Sequence, residues 1–222
     1  MSSFKDFYYA GVLREMPYIV SGDYFPKEAW EPTYISSRTL LRDYSPFGSK
    51  LFSGVCVQFY SENKSDNIIG VAHALKANSE VTNEEVFSLK FKRDHERTII
   101  KYPEDINPLD VLQVSHVYIT ENLNLRGRGM PSFIYASLAK SGFVVVSDAD
   151  QFLDGKELWK SMAYAAKLRN YRINIINSRT GQYLKDSRGI ISYDTTNVDD
   201  SDIWSHSGDF NRQDVLLTLR GN

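Results

Sequence analysis

The sequence predicts a mixed α/β (α+β) fold on a largely antiparallel central sheet, and three observations carry that prediction. Short runs rich in Val, Ile, Phe and Tyr at 51–60, 67–76, 84–92 and 97–102 are separated by polar turns such as Ser61-Glu62-Asn63-Lys64-Ser65-Asp66-Asn67, the pattern of an antiparallel meander. A longer run, 111–120, is apolar on both faces, as a central strand is. Beyond residue 130 the pattern changes to alternating helices and apolar strands, which makes the sheet mixed.

Taken in order, residues 3–50 are aromatic and carry Pro17, Pro26, Pro32 and Pro46, with a short helical opening at 4–14. The stretch 51–59 reads as a buried strand around Cys56. After strand 111–120, the pairs Ile134 with Leu138 and Tyr135 with Ala139 have helical spacing over 131–141, and Gly142 supplies a stop. Phe143-Val144-Val145-Val146 is an apolar strand that should lie parallel to 111–120, the two joined by the intervening helix. Helical spacing returns over 155–168 through Leu158, Trp159, Met162, Ala165 and Ala166. A strand at 171–176, a turn at Arg179-Thr180-Gly181, polar loops over 194–211 and a last strand at 215–219 complete the chain. The organisation expected is an N-terminal arm at 1–50, a main domain at 51–193, and a loop and strand at 194–222 that complete it.

Composition narrows the function classes. Hydrophobic residues make up 42% and charged residues 24% of 222, which is globular usage, and the formal charge of −2 is interspersed, so nothing draws the whole chain to nucleic acid or to an anionic membrane. One cysteine permits no intrachain disulfide and fits a reducing, cytoplasmic setting. No run approaches the roughly 20 apolar residues of a membrane-spanning helix. His73, His95 and His206 lack ligand-like spacing with cysteines or acids, so no metal is expected.

The chemistry-bearing segment is Arg126-Gly127-Arg128-Gly129-Met130-Pro131, between strand 111–120 and helix 131–141. A glycine-rich turn entering a helix presents free backbone N–H groups, backed by the positive end of the helix dipole, to an anion. Glycines allow close approach of the backbone, and Arg126 and Arg128 add charge that can pair with phosphate. A plain tight turn with two solvated arginines has the same local sequence.

Arg126-x-x-Gly129-x-Pro131, followed by Ser132-Phe133-Ile134-Tyr135-Ala136-Ser137-Leu138-Ala139, resembles the Q/R-x-x-G-x-G/A signature of the GNAT superfamily of acyl-CoA-dependent N-acetyltransferases. Downstream, Val146-Ser147-Asp148, Gly155-x-x-Leu158-Trp159-x-x-Met162-Ala163 and Asn177-Ser178-Arg179-Thr180-Gly181-Gln182-Tyr183 look like segments of acetyltransferase-like proteins common in bacteriophages. The likeness covers about 51–185. It implies acetyl-CoA as co-substrate, held between strands 111–120 and 143–147. Backbone groups of Val117 and Ile119 would hold the pantetheine arm, and N–H groups of Gly127, Arg128, Gly129 and Met130 the pyrophosphate. It also implies direct attack of an amine on the thioester, in the host cytoplasm or in a virion if the chain is phage-encoded. The alternative use of the same fold is a non-catalytic structural or interaction protein, with self-association or a virion or host partner engaged through 1–50.

Two departures bear on the chemistry. Pro131 replaces Gly or Ala and removes one N–H donor, although proline suits the first turn of a helix. Trp159 stands where many members carry a tyrosine acid, and an indole N–H is a far poorer acid; Tyr164, five residues on, points roughly 140° away around the helix. His116, on strand 111–120, is the candidate base because an unperturbed imidazole titrates near neutrality. Ser115 faces the other way. Asp148, Asp150 and Asp154 are expected to cap the following helix.

Overall fold

The computed structural model describes residues 18–20, 35–65, 67–73, 84–93, 100–120, 125, 127–147, 150–194, 198, 203–204 and 215–222. In chain order the elements are β1 (Tyr18–Val20), α1 (Ser37–Asp43), β2 (Tyr44–Phe52), β3 (Val55–Glu62), β4 (Ile68–His73), β5 (Glu84–Lys92), a 3₁₀ turn (Pro108–Asp110), β6 (Val111–Ile119), α2 (Met130–Lys140) and β7 (Val144–Val146). They continue with β8 (Asp150–Phe152), α3 (Leu153–Arg169), β9 (Tyr171–Asn177), β10 (Gln182–Tyr183), β11 (Lys185–Asp186), β12 (Gly189–Ile190) and β13 (Val215–Gly221). The fold is mixed α/β with a large, mostly antiparallel open sheet. The chain divides into two compact units, Met1–Pro26 with Asp94–Gln113 and Tyr135–Asn222, and Lys27–Arg93 with Val114–Ile134.

In the second unit, α1 starts where the Ser36 hydroxyl accepts a hydrogen bond from the Thr39 N–H at 3.1 Å. It stops at Tyr44, whose extended backbone leads straight into β2. β2, β3, β4 and β5 then form an antiparallel meander. Ser53 (φ 48°) and Gly54 (φ 85°) are both left-handed, as a two-residue hairpin turn requires, so 51–60 is a strand end, a turn and a second strand rather than one strand. Cys56, placed on β3, is half-buried.

The two faces of this meander are packed differently. Gly70 lies opposite Phe59 on one side and Phe87 on the other. Phe59 meets Phe52 and Phe87 edge to face at 6.0 and 5.5 Å, and Phe133 from the first turn of α2 covers Phe52 and Phe59. On the other face Ile69 and Val71 pack with Ile35 and with Leu40 of α1, flanked by Tyr44 and Tyr60.

In the first unit, Val111, Leu112 and Gln113 at the start of β6 pair in parallel with Val144, Val145 and Val146 of β7, as expected of strands joined by a helix. β13 is antiparallel to β7 and to the whole of β9, so the last strand of the chain sits between them. Ile106, Val111, Val144, Val146, Ile176 and Leu216 form the core on one face. From α3, Trp159, Met162, Ala163 and Ala166 are buried, and Trp159 lies 5.8 Å from the Tyr135 ring.

Some expectations shift. Of the strand expected at 97–102, residues 97–99 lie outside the described residues and 100–102 are irregular, the Lys101 N–H donating to the Ser178 carbonyl at 2.6 Å. Asp150 belongs to β8, which pairs in parallel with β1, and α3 begins at Leu153. The helical opening at 4–14, Asp148 and most of the polar loops over 194–211 fall outside the described residues.

Candidate functional site

β6 places His116, Val117 and Ile119 half-buried on the second unit, ahead of the turn into α2. Thr120 is buried and its N–H donates to the Val86 carbonyl at 3.0 Å, which fixes the end of β6 beside β5. Leu125 is fully buried and its carbonyl accepts from the Arg128 N–H at 3.3 Å, closing a tight turn. Arg126 lies outside the described residues.

Gly127 (φ 72°) and Gly129 (φ 80°) both take the left-handed backbone that glycine adopts without strain. Among the described residues nothing lies within 4 Å of where a Cβ would stand on either glycine. Arg128 is exposed and Met130 fully buried, which anchors the start of α2. Phe133 N–H donates to the Gly129 carbonyl at 3.0 Å, making Gly129 the residue that caps the helix. The helix therefore starts at Met130, and Pro131 is its second residue. Met130 and Ser132 carry the first-turn N–H groups, while Pro131 carries none. A further cation stands nearby: Lys50 Nζ is 5.1 Å from the Phe133 ring and 5.4 Å from the Phe52 ring.

Burial pushes the His116 imidazole below its ordinary pKa, and the Lys90 ammonium adds to the effect. A neutral imidazole at neutral pH can accept a proton. Ser115 instead donates its hydroxyl to the Lys90 carbonyl at 3.1 Å. In the first unit Trp159 is 1% exposed, which makes it a core residue, and Tyr164 on the same helix is 81% exposed.

Two polar arrangements escaped sequence reasoning. In the first unit, Arg220 Nη1 lies 2.7 Å from Asp105, and the Tyr183 hydroxyl donates to the same carboxylate at 3.2 Å. Although desolvation opposes it, those partners hold Asp105 below the usual carboxylate range, while burial and the Asp105 bond push Tyr183 up to about 12. This network borders a cleft of about 460 Å³ that Asn107, Asp110, Lys140 and Asn170 also line. In the second unit, Glu85 on β5 is buried at 8% exposure. Its sequence neighbours gave one signal, a charge in phase with Phe87, Leu89 and Phe91, and a strand irregularity at Gly70–Val71 obscures the face it takes.

Among the described residues no three or more His, Cys, Asp or Glu side chains group as metal ligands, and no helix is long and apolar enough to cross a membrane. No family model, curated protein or solved structure matches the chain.

Proposed function

We propose that the chain is an acyl-CoA-dependent N-acyltransferase, transferring an acetyl group from CoA to an amine by direct attack. The observation that carries this reading is the turn at Gly127–Gly129: two left-handed glycines, with no described residue within 4 Å of where a Cβ would stand on either, capping a helix whose first-turn N–H groups are backed by the helix dipole. Exposed Arg128 and Lys50 supply positive charge close by, which suits a pyrophosphate. The parallel pairing at Val111–Gln113 adds support, since the chain leaves β6, passes the turn and α2, and returns in β7.

In this reading the backbone of the turn binds and orients the co-substrate's pyrophosphate, and Val117 and Ile119 line the arm. His116, kept neutral by burial, takes the proton of the acceptor amine. Titrating acetyl-CoA calorimetrically into wild type and Gly129→Val is the test. A branched side chain at φ 80° strains the turn, so affinity should fall about tenfold or more while the fold survives, the cost of a left-handed non-glycine residue being about 1–2 kcal/mol. Equal affinity, or no binding to wild type, would remove the phosphate site.

A second reading has one observation in its favour. Trp159 is packed in the core against Tyr135 and Tyr164 faces solvent, so in the described part of α3 neither position offers an acid to a departing thiolate. That suits a non-catalytic protein of the same fold, such as a virion component with a partner engaged through 1–50. Binding of acetyl-CoA without CoA release across a broad panel of amines would favour it.

A further inference from the structure

The cleft of about 460 Å³ lies wholly within the first unit, where α2 ends at Lys140, β6 and β7 begin, and β13 ends at Gly221. Sites for small organic molecules span about 300–1,000 Å³, so the space is more than one inorganic ion fills. One wall is tightly built. A Cβ on Gly221 would stand 2.9 Å from the Ala139 carbonyl oxygen, which means that the end of β13 is packed on the last turn of α2.

The acids of the cleft already have donors, whereas its cations are short of acceptors. The Asp105 carboxylate accepts from Arg220 Nη1 at 2.7 Å and from the Tyr183 hydroxyl at 3.2 Å, and Asp110 accepts from the Asn107 amide at 3.1 Å. Arg220 spends Nη1 on Asp105, but its buried Nε has no acceptor among the described residues, and 21% of the side chain is exposed. An unmet guanidinium N–H is costly when buried and holds an oxygen anion strongly when one is supplied. Lys140 is exposed, with no ion pair among the described residues. Arg172 stands directly opposite Arg220 in the β9–β13 register. Like charges so paired repel across a sheet, and an anion beside them relieves the repulsion.

We propose that this cleft binds a small polar carboxylate, its negative group held by Arg220 and Lys140. Charge decides against a phosphate. Asp105, Asp110 and the carbonyl end of α2, the negative end of the helix dipole, share the walls, so a second negative charge on the ligand would be repelled. A carboxylate carries one charge and matches the planar guanidinium. Asn107 and Asn170 suit a remainder that is polar rather than aliphatic. Arg220 is in place before the ligand arrives: Asp105 holds Nη1, and the Tyr183 ring lies 5.9 Å from Cζ, so little order has to be imposed on binding.

Titrating lactate, and separately glutamate, into the ¹⁵N-labelled full chain at constant ionic strength tests this, read from the arginine Nε–H signals and the Gly142 and Gly221 amides. The Arg220 signal, identified as the one missing from Arg220→Lys, should shift saturably, with a dissociation constant of about 1 mM for at least one of the two acids. Arg220→Lys keeps a cation beside Asp105 without the planar fork and should weaken binding about tenfold or more. Lys140→Met alters only an exposed side chain and should weaken it about threefold, so the test survives if Arg220→Lys does not fold. Inorganic phosphate should bind more weakly than the better acid. No saturable shift with either acid up to about 20 mM, phosphate bound as tightly as the better acid, or affinity unchanged in the folded variants would each overturn the proposal.

Discussion

Single residues show most directly which parts of the fold are set by space and which by charge. A Cβ on Gly70 would stand 2.9 Å from Phe87 Cβ and 3.0 Å from the Phe59 ring, so Gly70→Ala must displace a packed aromatic pair. Overpacking of this kind costs about 1–3 kcal/mol, and a thermal melt should show Tm lower by several degrees. His116 is a matter of charge. If it relays the amine's proton, His116→Ala should lower turnover by about 10²-fold with acetyl-CoA binding retained. Because burial depresses its pKa, the acid limb of the wild-type rate profile should fall below the ordinary histidine range. A profile of CoA release against pH for both proteins decides it, and superimposable curves would exclude His116. Gly127 and Gly129 were legible in the sequence because a turn entering a helix needs left-handed backbone that glycine alone adopts freely. Glu85 was not, since the face it takes depends on the strand irregularity at Gly70–Val71, which is set by pairing with another strand.

Among the elements, legibility followed how much of the signal is local. The apolar run 143–146 and the spacing of 131–141 and 155–168 announce β7, α2 and α3 to within a residue or two, because a buried strand and an amphipathic helix each impose their own period. The run 51–60 misled because apolar residues continue across the turn, Phe52 on one side and Val55 on the other, and Ser53-Gly54 is a less familiar hairpin pair than Asn-Gly. The turn has a testable cost. Ser53 holds φ 48° without glycine's freedom, so Ser53→Asn should raise stability by a few tenths of a kcal/mol, and Gly54→Ala should lower it by about 1 kcal/mol, read as denaturation midpoints at unchanged slope. The β10 turn was visible for the opposite reason. Asn177 closes it by accepting from Arg179 and Thr180 N–H, the habit of an Asn side chain that bonds backbone two or three residues on.

For the whole molecule, the titrating groups combine into a dependence of stability on pH whose sign can be worked out. Glu85 has a folded-state pKa raised to about 7 from an unfolded value near 4.5, so the folded chain holds the proton more tightly. Its favourable contribution is present below pH 4.5 and is lost as pH rises through about 7. His116 acts in the other direction. Its depressed pKa means that the folded chain holds that proton less tightly, so its contribution is present above the ordinary histidine value and is lost as pH falls. Asp105, held low by Arg220 and Tyr183, loses its contribution only in stronger acid, below the ordinary carboxylate value. Between pH 4.5 and 7 Glu85 and His116 oppose each other, and the more deeply buried carboxyl dominates. The melting temperature should accordingly be highest near pH 5 and decline towards pH 7.5, then level off. Glu85→Leu should remove the decline and move the optimum to neutral pH, because His116 alone then governs that interval. Scanning calorimetry of both proteins from pH 4 to pH 8 measures this, and a wild type whose stability rises steadily from pH 5 to pH 8 would show that Glu85 is ionised in the fold at no appreciable cost.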